Sequence, residues 1–247
     1  MSQSIHRAAL VLEHVSVRPR TQSEIAALLD VHRSTALRIL QTLTEAGLTR
    51  RRPDGTYGIG YRLAGLASLA AEQFDLRDIA RPTIAELGRE CGHTIHLAVL
   101  DGAQIVYADK IESAGPVRMH SQVGQPVRLH TSGVSKAILA WQDTATVDRM
   151  LAGYEYERFT DTTITSREAF DADLAGIRER GWAVDDGEFE PFIDCVAMPV
   201  RDARGSVIGA VSITALRALA DLDALEALLP RLAAATERIS TDVGWRP

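Results

Sequence analysis

The first sixty residues constrain the fold most, because three helical periods and one tight turn follow one another there with almost no chain to spare. Ile5, Ala8, Ala9, Leu12 and Val15 fall at i, i+3, i+4, i+7 and i+10, a single helical stripe. Thr21 and Glu24 form a capping box, which satisfies orphan N–H groups at the start of a helix, and Ile25, Leu28 and Leu29 then share one face. After Asp30 and Val31, a third period turns Ala36, Ile39, Leu40 and Leu43 inward. It leaves Arg33, Ser34, Arg38, Gln41 and Glu45 outward until Gly47 stops it. Leu48 to Arg52 and Thr56 to Ile59 bracket Pro53-Asp54-Gly55, the pattern of two short strands across a turn. Three helices and a hairpin, with about three residues between the second and third helices, predict a winged helix-turn-helix.

In such a module the third helix enters the major groove with its first residues toward base edges, while the wing lies on the backbone or in the minor groove. That makes Arg33, Ser34, Thr35 and Arg38 the candidate DNA contacts of the helix, and Arg50, Arg51 and Arg52 those of the wing. An arginine fork bonds guanine O6 and N7 together, whereas an arginine on phosphate adds affinity without sequence information. Charge agrees with this division. Residues 1–60 hold eight Arg and no Lys against five acids, a net of +3, and residues 61–247 carry −9. The overall −6 excludes indiscriminate nucleic-acid binding, but a positive head on an acidic body is what a phosphate-contacting module fused to something else requires.

Tyr61 to Phe74, with Leu63, Leu66, Leu69 and Ala70, reads as a helical connector whose apolar stripe would want a partner. Pro82 interrupts the next helical pattern, Leu76 to Glu90, so a kink or a fresh helix start is expected there. Beyond it the period shifts toward two. Thr94 to Leu100 and Ala103 to Lys110 flank an Asp101-Gly102 hairpin, and Val117 to Val127 reads as extended. Ser132 to Trp141 and Thr146 to Leu151 read as helices, and Thr165 with Glu168 as a capping box opening a helix to Arg180. Strands are expected at Trp182 to Val184, Cys195 to Arg201 and Val207 to Thr214, and a closing helix from Leu219 to Ile239 interrupted by Pro230. The expected organisation is therefore α+β in class: a winged helix-turn-helix over 1–60, a linker helix over 61–77, and a sheet domain over 78–247. No run approaches eighteen apolar residues, and Ile5 to Val17 is broken by His6, Arg7, Glu13 and His14, so neither a membrane span nor a signal core is expected and the cytosol is the expected compartment. Cys91 and Cys195 lack CxxC spacing, which removes a Cys-rich zinc site.

The sequence resembles the IclR family, the isocitrate lyase regulator group of bacterial transcription factors. The resemblance is collinear over nearly the whole chain. It rests on His32 to Leu40 before Glu45-Ala46-Gly47-Leu48, on Tyr57-Gly58-Ile59-Gly60, and on Gly124 to Ala137. It continues through Arg180 to Glu188 and Cys195 to Asp202, and ends in Ser212-Ile213-Thr214. It implies a winged helix-turn-helix, a linker helix and a C-terminal effector domain with a GAF-like α/β fold, assembled as homodimers or dimers of dimers on double-stranded operator DNA. It also implies a small organic acid effector, and with few cationic residues assigned to the pocket the expectation is a small organic or aromatic acid; no cofactor and no metal are expected. The residues it assigns to the pocket are Pro116, Val127, Gly133, Val134, Asp185, Cys195, Ser212 and Thr214. Gly133 and Val134 open a helix whose free N–H groups suit an anion, and Ser212 and Thr214, two apart on a strand, share a face. Where relatives commonly have Gly-Leu-Pro before the recognition helix, this chain has Asp30-Val31-His32; before the cysteine, Glu190 to Asp194 replaces Pro-Gly-Val/Leu-Arg.

Other chemistries compete for the same residues. Cys195 could serve a thiol-dependent hydrolase, with His130 or His96 as base and Asp185 as orienting acid, although a strand cysteine is more often a small apolar filler. Asp185, Cys195 and a histidine could hold a metal, but no HxH or HxxxH pair supports it. A third reading makes the body a pure dimerisation module.

Overall fold

The fold is described from a computed structural model, over residues 3–71, 75–113, 115 and 119–246. The chain divides into two compact units, Met1–Phe74 and Asp75–Pro247.

In the first unit α1 (Gln3–Val17), α2 (Gln22–Leu28) and α3 (Arg33–Glu45) precede a two-stranded antiparallel wing, β1 (Thr49–Arg51) with β2 (Tyr57–Ile59), and then α4 (Tyr61–Ala71). The capping box forms as read: Thr21 N–H donates to Glu24 Oε2 at 2.7 Å, and Glu24 N–H donates to Thr21 Oγ1. Asp30, where the family resemblance leads one to expect glycine, adopts φ +49° and makes the turn into α3. Aspartate tolerates the left-handed region better than most residues, so the turn survives without glycine. His32 caps α3 by accepting from Ser34 N–H. Val11, Val15, Ile25, Ala36, Leu40, Leu43 and Tyr57 are buried together, which locks the outward face of α3 in place. In α4 the sequence is almost wholly apolar, yet Tyr61, Leu66 and Leu69 are exposed.

The second unit opens with α5 (Leu76–Cys91), which runs unbroken through Pro82, so no fresh helix starts there; the proline removes one backbone donor and the helix ends instead at Gly92 in the left-handed conformation. Then follow β3 (Thr94–Asp101), β4 (Gln104–Ile111), α6 (Gly133–Leu139), α7 (Thr144–Met150), α8 (Arg167–Arg180), β5 (Ala183–Asp186), β6 (Ile193–Arg201), β7 (Val207–Leu216), α9 (Leu222–Glu226) and α10 (Leu229–Asp242). Four local expectations change. Among the described residues, 119–127 form no strand beyond a bridge from Pro126 to Val106, though Tyr107 N–H donates to Gln125 O and Val127 N–H to Ile105 O. The cap of α8 is Ser166, which accepts from Ala169 N–H, and not Thr165. Strand β5 starts at Ala183, after Trp182. The closing helix is two helices, with Pro230 in the first turn of the second, where a missing N–H costs nothing.

The five strands pair antiparallel in the order β4-β3-β7-β6-β5. Strand alternation then splits the core. Ile95, Leu97, Val196, Val211 and Ile213 face α5 and α10. Ala98, Ala183, Ala197 and Ala210 face α6, α7 and α8. The second face is built from small residues, which lets a short helix lie close on the sheet.

Candidate functional site

Sheet register builds the site. Asp185 pairs with Cys195, and Cys195 with Thr214, in one row across β5, β6 and β7. In the adjacent row Ala197 pairs with Ser212, and Ser212 with His96 of β3. Because i and i+2 share a face, these side chains converge on the side that carries α6. Gly133, the first residue of α6, makes this possible: a Cβ there would lie 2.9 Å from Cys195 Sγ. The result is a cavity of about 490 Å³, within the range that holds small ligands.

Val134, Asp185, Cys195, Ser212 and Thr214 line this cavity. Val127 instead packs into the core against the α6 side of the sheet, and Gly133 acts as a spacer. Pro116 lies outside the described residues. Sequence reasoning did not assign the other lining residues to a ligand, among them His96, Tyr107, Ser121 and Arg128. His96 could have been found from its position opposite Ser212 once β3 and β7 were known to pair. Its Nδ1 lies 3.2 Å from Thr214 Oγ1 and 3.3 Å from Ser212 Oγ, and its Nε2 lies 2.7 Å from Ser121 Oγ. Arg128 stacks its guanidinium 3.9 Å from the centre of the Phe189 ring and 5.3 Å from that of Phe159.

The cavity floor is neutral. Burial, aided by the nearby Lys110 ammonium, lowers the His96 imidazole to about 3, so it carries no charge near pH 7. Burial and the Glu188 carboxyl raise Asp185 to about 8, so it holds its proton. Burial and Asp185 push the Cys195 thiol up to about 12. Beneath the floor lies a charged cluster that sequence did not reveal. Lys136, fully buried in α6, donates to Glu188 Oε1 at 2.5 Å and lies 3.3 Å from Asp173 Oδ2, while Glu188 N–H donates to Asp185 Oδ1. Burial alone would lower the Lys136 ammonium, but Glu188 and Asp173 reverse that and hold it above its ordinary value. Burial also raises Glu188, to about 7, against the pull of Lys136.

These values bear on the hydrolase reading. A thiol at about 12 is no nucleophile at neutral pH, and both imidazoles spend their hydrogen bonds elsewhere, His96 as above and His130 on Tyr154 Oη and Glu157 O. No cluster of three metal-ligating side chains occurs among the described residues.

In the first unit Arg33, Ser34, Arg38, Arg50, Arg51 and Arg52 are exposed, and Thr35 is half-buried. The structure thus brings the α3 residues onto one open helix face. Arg50 is partly engaged, with its guanidinium 5.0 Å from the centre of the Tyr61 ring.

Comparison with known proteins fits both units. The family described as bacterial transcriptional regulator IclR C-terminal matches residues 68–241. The chain belongs to the IclR family of transcriptional regulators. A second description, HVO_A0261 N-terminal domain, matches residues 1–80. Among curated IclR relatives, the HTH-type transcriptional regulator XynR of Escherichia coli is 33% identical over 89% of this chain and 88% of its own length. The HTH-type transcriptional regulator KdgR of the same organism is 34% identical over 90% and 85% respectively. The IclR crystal structure from Thermotoga maritima superposes with a TM-score of 0.65 at 30% identity, covering 99% of this chain and all of that one. The chain is accordingly an IclR-type regulator of transcription that binds DNA and a small-molecule effector. No described helix is long and apolar enough to cross a membrane.

Proposed function

We propose that this protein is a cytosolic, non-enzymatic repressor that holds operator DNA as a homodimer or dimer of dimers and is modulated by a small organic acid. DNA contact falls to Arg33, Ser34, Thr35 and Arg38 of α3, with Arg50, Arg51 and Arg52 on the wing. The effector occupies the cavity over Asp185, Cys195, Ser212 and Thr214, beside Val134, with Val127 and Gly133 shaping it from behind. Pro116 keeps the role that the family resemblance gives it. The observation that carries the reading is the pairing of an open arginine-bearing helix face with a formed, polar-floored cavity in one chain.

The exposed Tyr61, Leu66 and Leu69 of α4 support self-association, since an apolar helix that shows no buried side chain over 61–70 wants a second copy. In a dimer, half-sites follow the spacing of two recognition helices, about 34 Å per turn of DNA. An effector changes operator binding only by its differential affinity for the two arrangements of the dimer. Transcription in vitro from the promoter flanking the protein's own gene tests this. The protein is expected to lower transcript, and a screen of organic acids to yield one that restores it. Unchanged transcript at saturating protein would contradict repression.

A further inference from the structure

We propose that Arg128 is the acid-recognising group of the cavity, and that its ligand is an aliphatic monocarboxylic acid bearing several hydroxyl or carbonyl oxygens. This rests on the reading of the cavity as the effector site. The alternatives it rejects are a bare aromatic acid and an acid of two or three carbons.

The first support is the state of Arg128. Its guanidinium carbon lies 3.9 Å from the centre of the Phe189 ring and 5.3 Å from that of Phe159, and among the described residues no carboxylate pairs with it. Contact with the two rings holds the fork in position through its carbon without using its N–H donors, the condition for two-point binding of a carboxylate. Behind it the floor contributes no competing charge, because His96, Asp185 and Cys195 are all held neutral. Glu190 also lines the cavity, and a carboxylate there disfavours a ligand with a second acid group.

The second support is what the rest of the ligand would meet. Twelve of the eighteen lining residues carry polar side chains, so a plain ring would cover hydroxyls that keep a second hydrogen-bonding site open and give them nothing to bond. Ser212 and Thr214 present hydroxyls 3.3 Å apart, the Ser121 hydroxyl extends the same patch, and His96, with both ring nitrogens engaged by these three hydroxyls, holds them in place. Such an array pairs with several ligand oxygens at once. Size points the same way: a cavity of about 490 Å³ lies in the range that holds drug-sized ligands, and a two- or three-carbon acid fills it poorly.

The test is calorimetric titration of the full-length protein with D-gluconate, D-gluconamide, benzoate and pyruvate. Gluconate is expected to bind about tenfold or more tightly than each of the others. Arg128→Gln, on an exposed side chain, should weaken gluconate by about tenfold and leave gluconamide unchanged, with Arg128→Lys recovering part of the loss. Thr214→Phe, which fills the floor, should abolish binding. Tighter benzoate or pyruvate binding that Thr214→Phe removes would overturn the ligand class while leaving the cavity reading in place. Gluconate binding that survives Thr214→Phe would sink the cavity reading itself. Equal gluconate affinity in wild type and Arg128→Gln would overturn the role of Arg128, and silence from all four compounds would overturn the inference as a whole.

Discussion

Gly133 and Cys195 are in such close register that a single methyl group between them would stand 2.9 Å from the sulfur. Helix α6 rests on β6 through this contact, and the cavity floor depends on it.

Gly133→Ala is therefore expected to destabilise the protein by about 1 to 3 kcal/mol, the usual cost of overpacking, despite alanine's better helix propensity. Cys195→Ala removes the obstructing sulfur, so the double variant should recover most of the loss. Urea midpoints for the four members of this cycle check the coupling; additive losses would contradict it.

Lys136 gives a second prediction. Lys136→Met leaves Glu188 and Asp173 facing a buried hole in charge, and breaking a buried pair costs about 3 to 5 kcal/mol. Lys136→Met combined with Glu188→Gln should be less damaged than Lys136→Met alone, as read by thermal melting at pH 7.

A pH prediction follows from Asp185. Its native pKa of about 8 stands above the ordinary 3.8, so between those values the native state keeps a proton that the unfolded chain has released. Stability contributed by this group therefore falls as pH rises through that window, by about 1.4 kcal/mol for each pKa unit. Glu188, raised to about 7, acts in the same direction. Asp185→Asn keeps the acceptor for Glu188 N–H but cannot ionise, so its stability relative to wild type should rise from pH 5 to pH 8.5. A constant difference between the two proteins across that range would contradict the assignment.

Cys195→Ser tests the sulfur as a contact and not a nucleophile. Operator affinity in the absence of effector should stay within about twofold of wild type, while effector affinity changes, because the side chain lines the cavity and carries no charge.

Much of this was legible in the sequence because the first unit is local. Thr21 and Glu24 cap over three residues, the α3 stripe lies within one helix, and Asp54-Gly55 closes a short wing, so spacing alone exposes them. The cavity is non-local. His96 meets Ser212 across more than a hundred residues, and only strand pairing brings them together. Lys136 was missed because a lysine is ordinarily a surface residue; the available signal was its place in the apolar run Gly133 to Leu139, with no acid in reach on the same helix. Ser166 displaced Thr165 because either hydroxyl can cap and the backbone chose the later one. Arg128 has no periodic signature at all, since its role comes from Phe159 and Phe189 far along the chain.

The central claim is that the open face of α3 and the wing hold DNA. The most direct measurement is fluorescence anisotropy on a duplex from upstream of the protein's own gene, taken as a salt series. Wild type should bind with affinity falling linearly in log–log against salt. Arg51→Ala should flatten that slope by about one unit, and Arg38→Ala should weaken binding and narrow the preference over scrambled duplex by about 1 to 3 kcal/mol. Failure of the wild-type protein to bind at low ionic strength, or identical curves for all three proteins, would contradict the account.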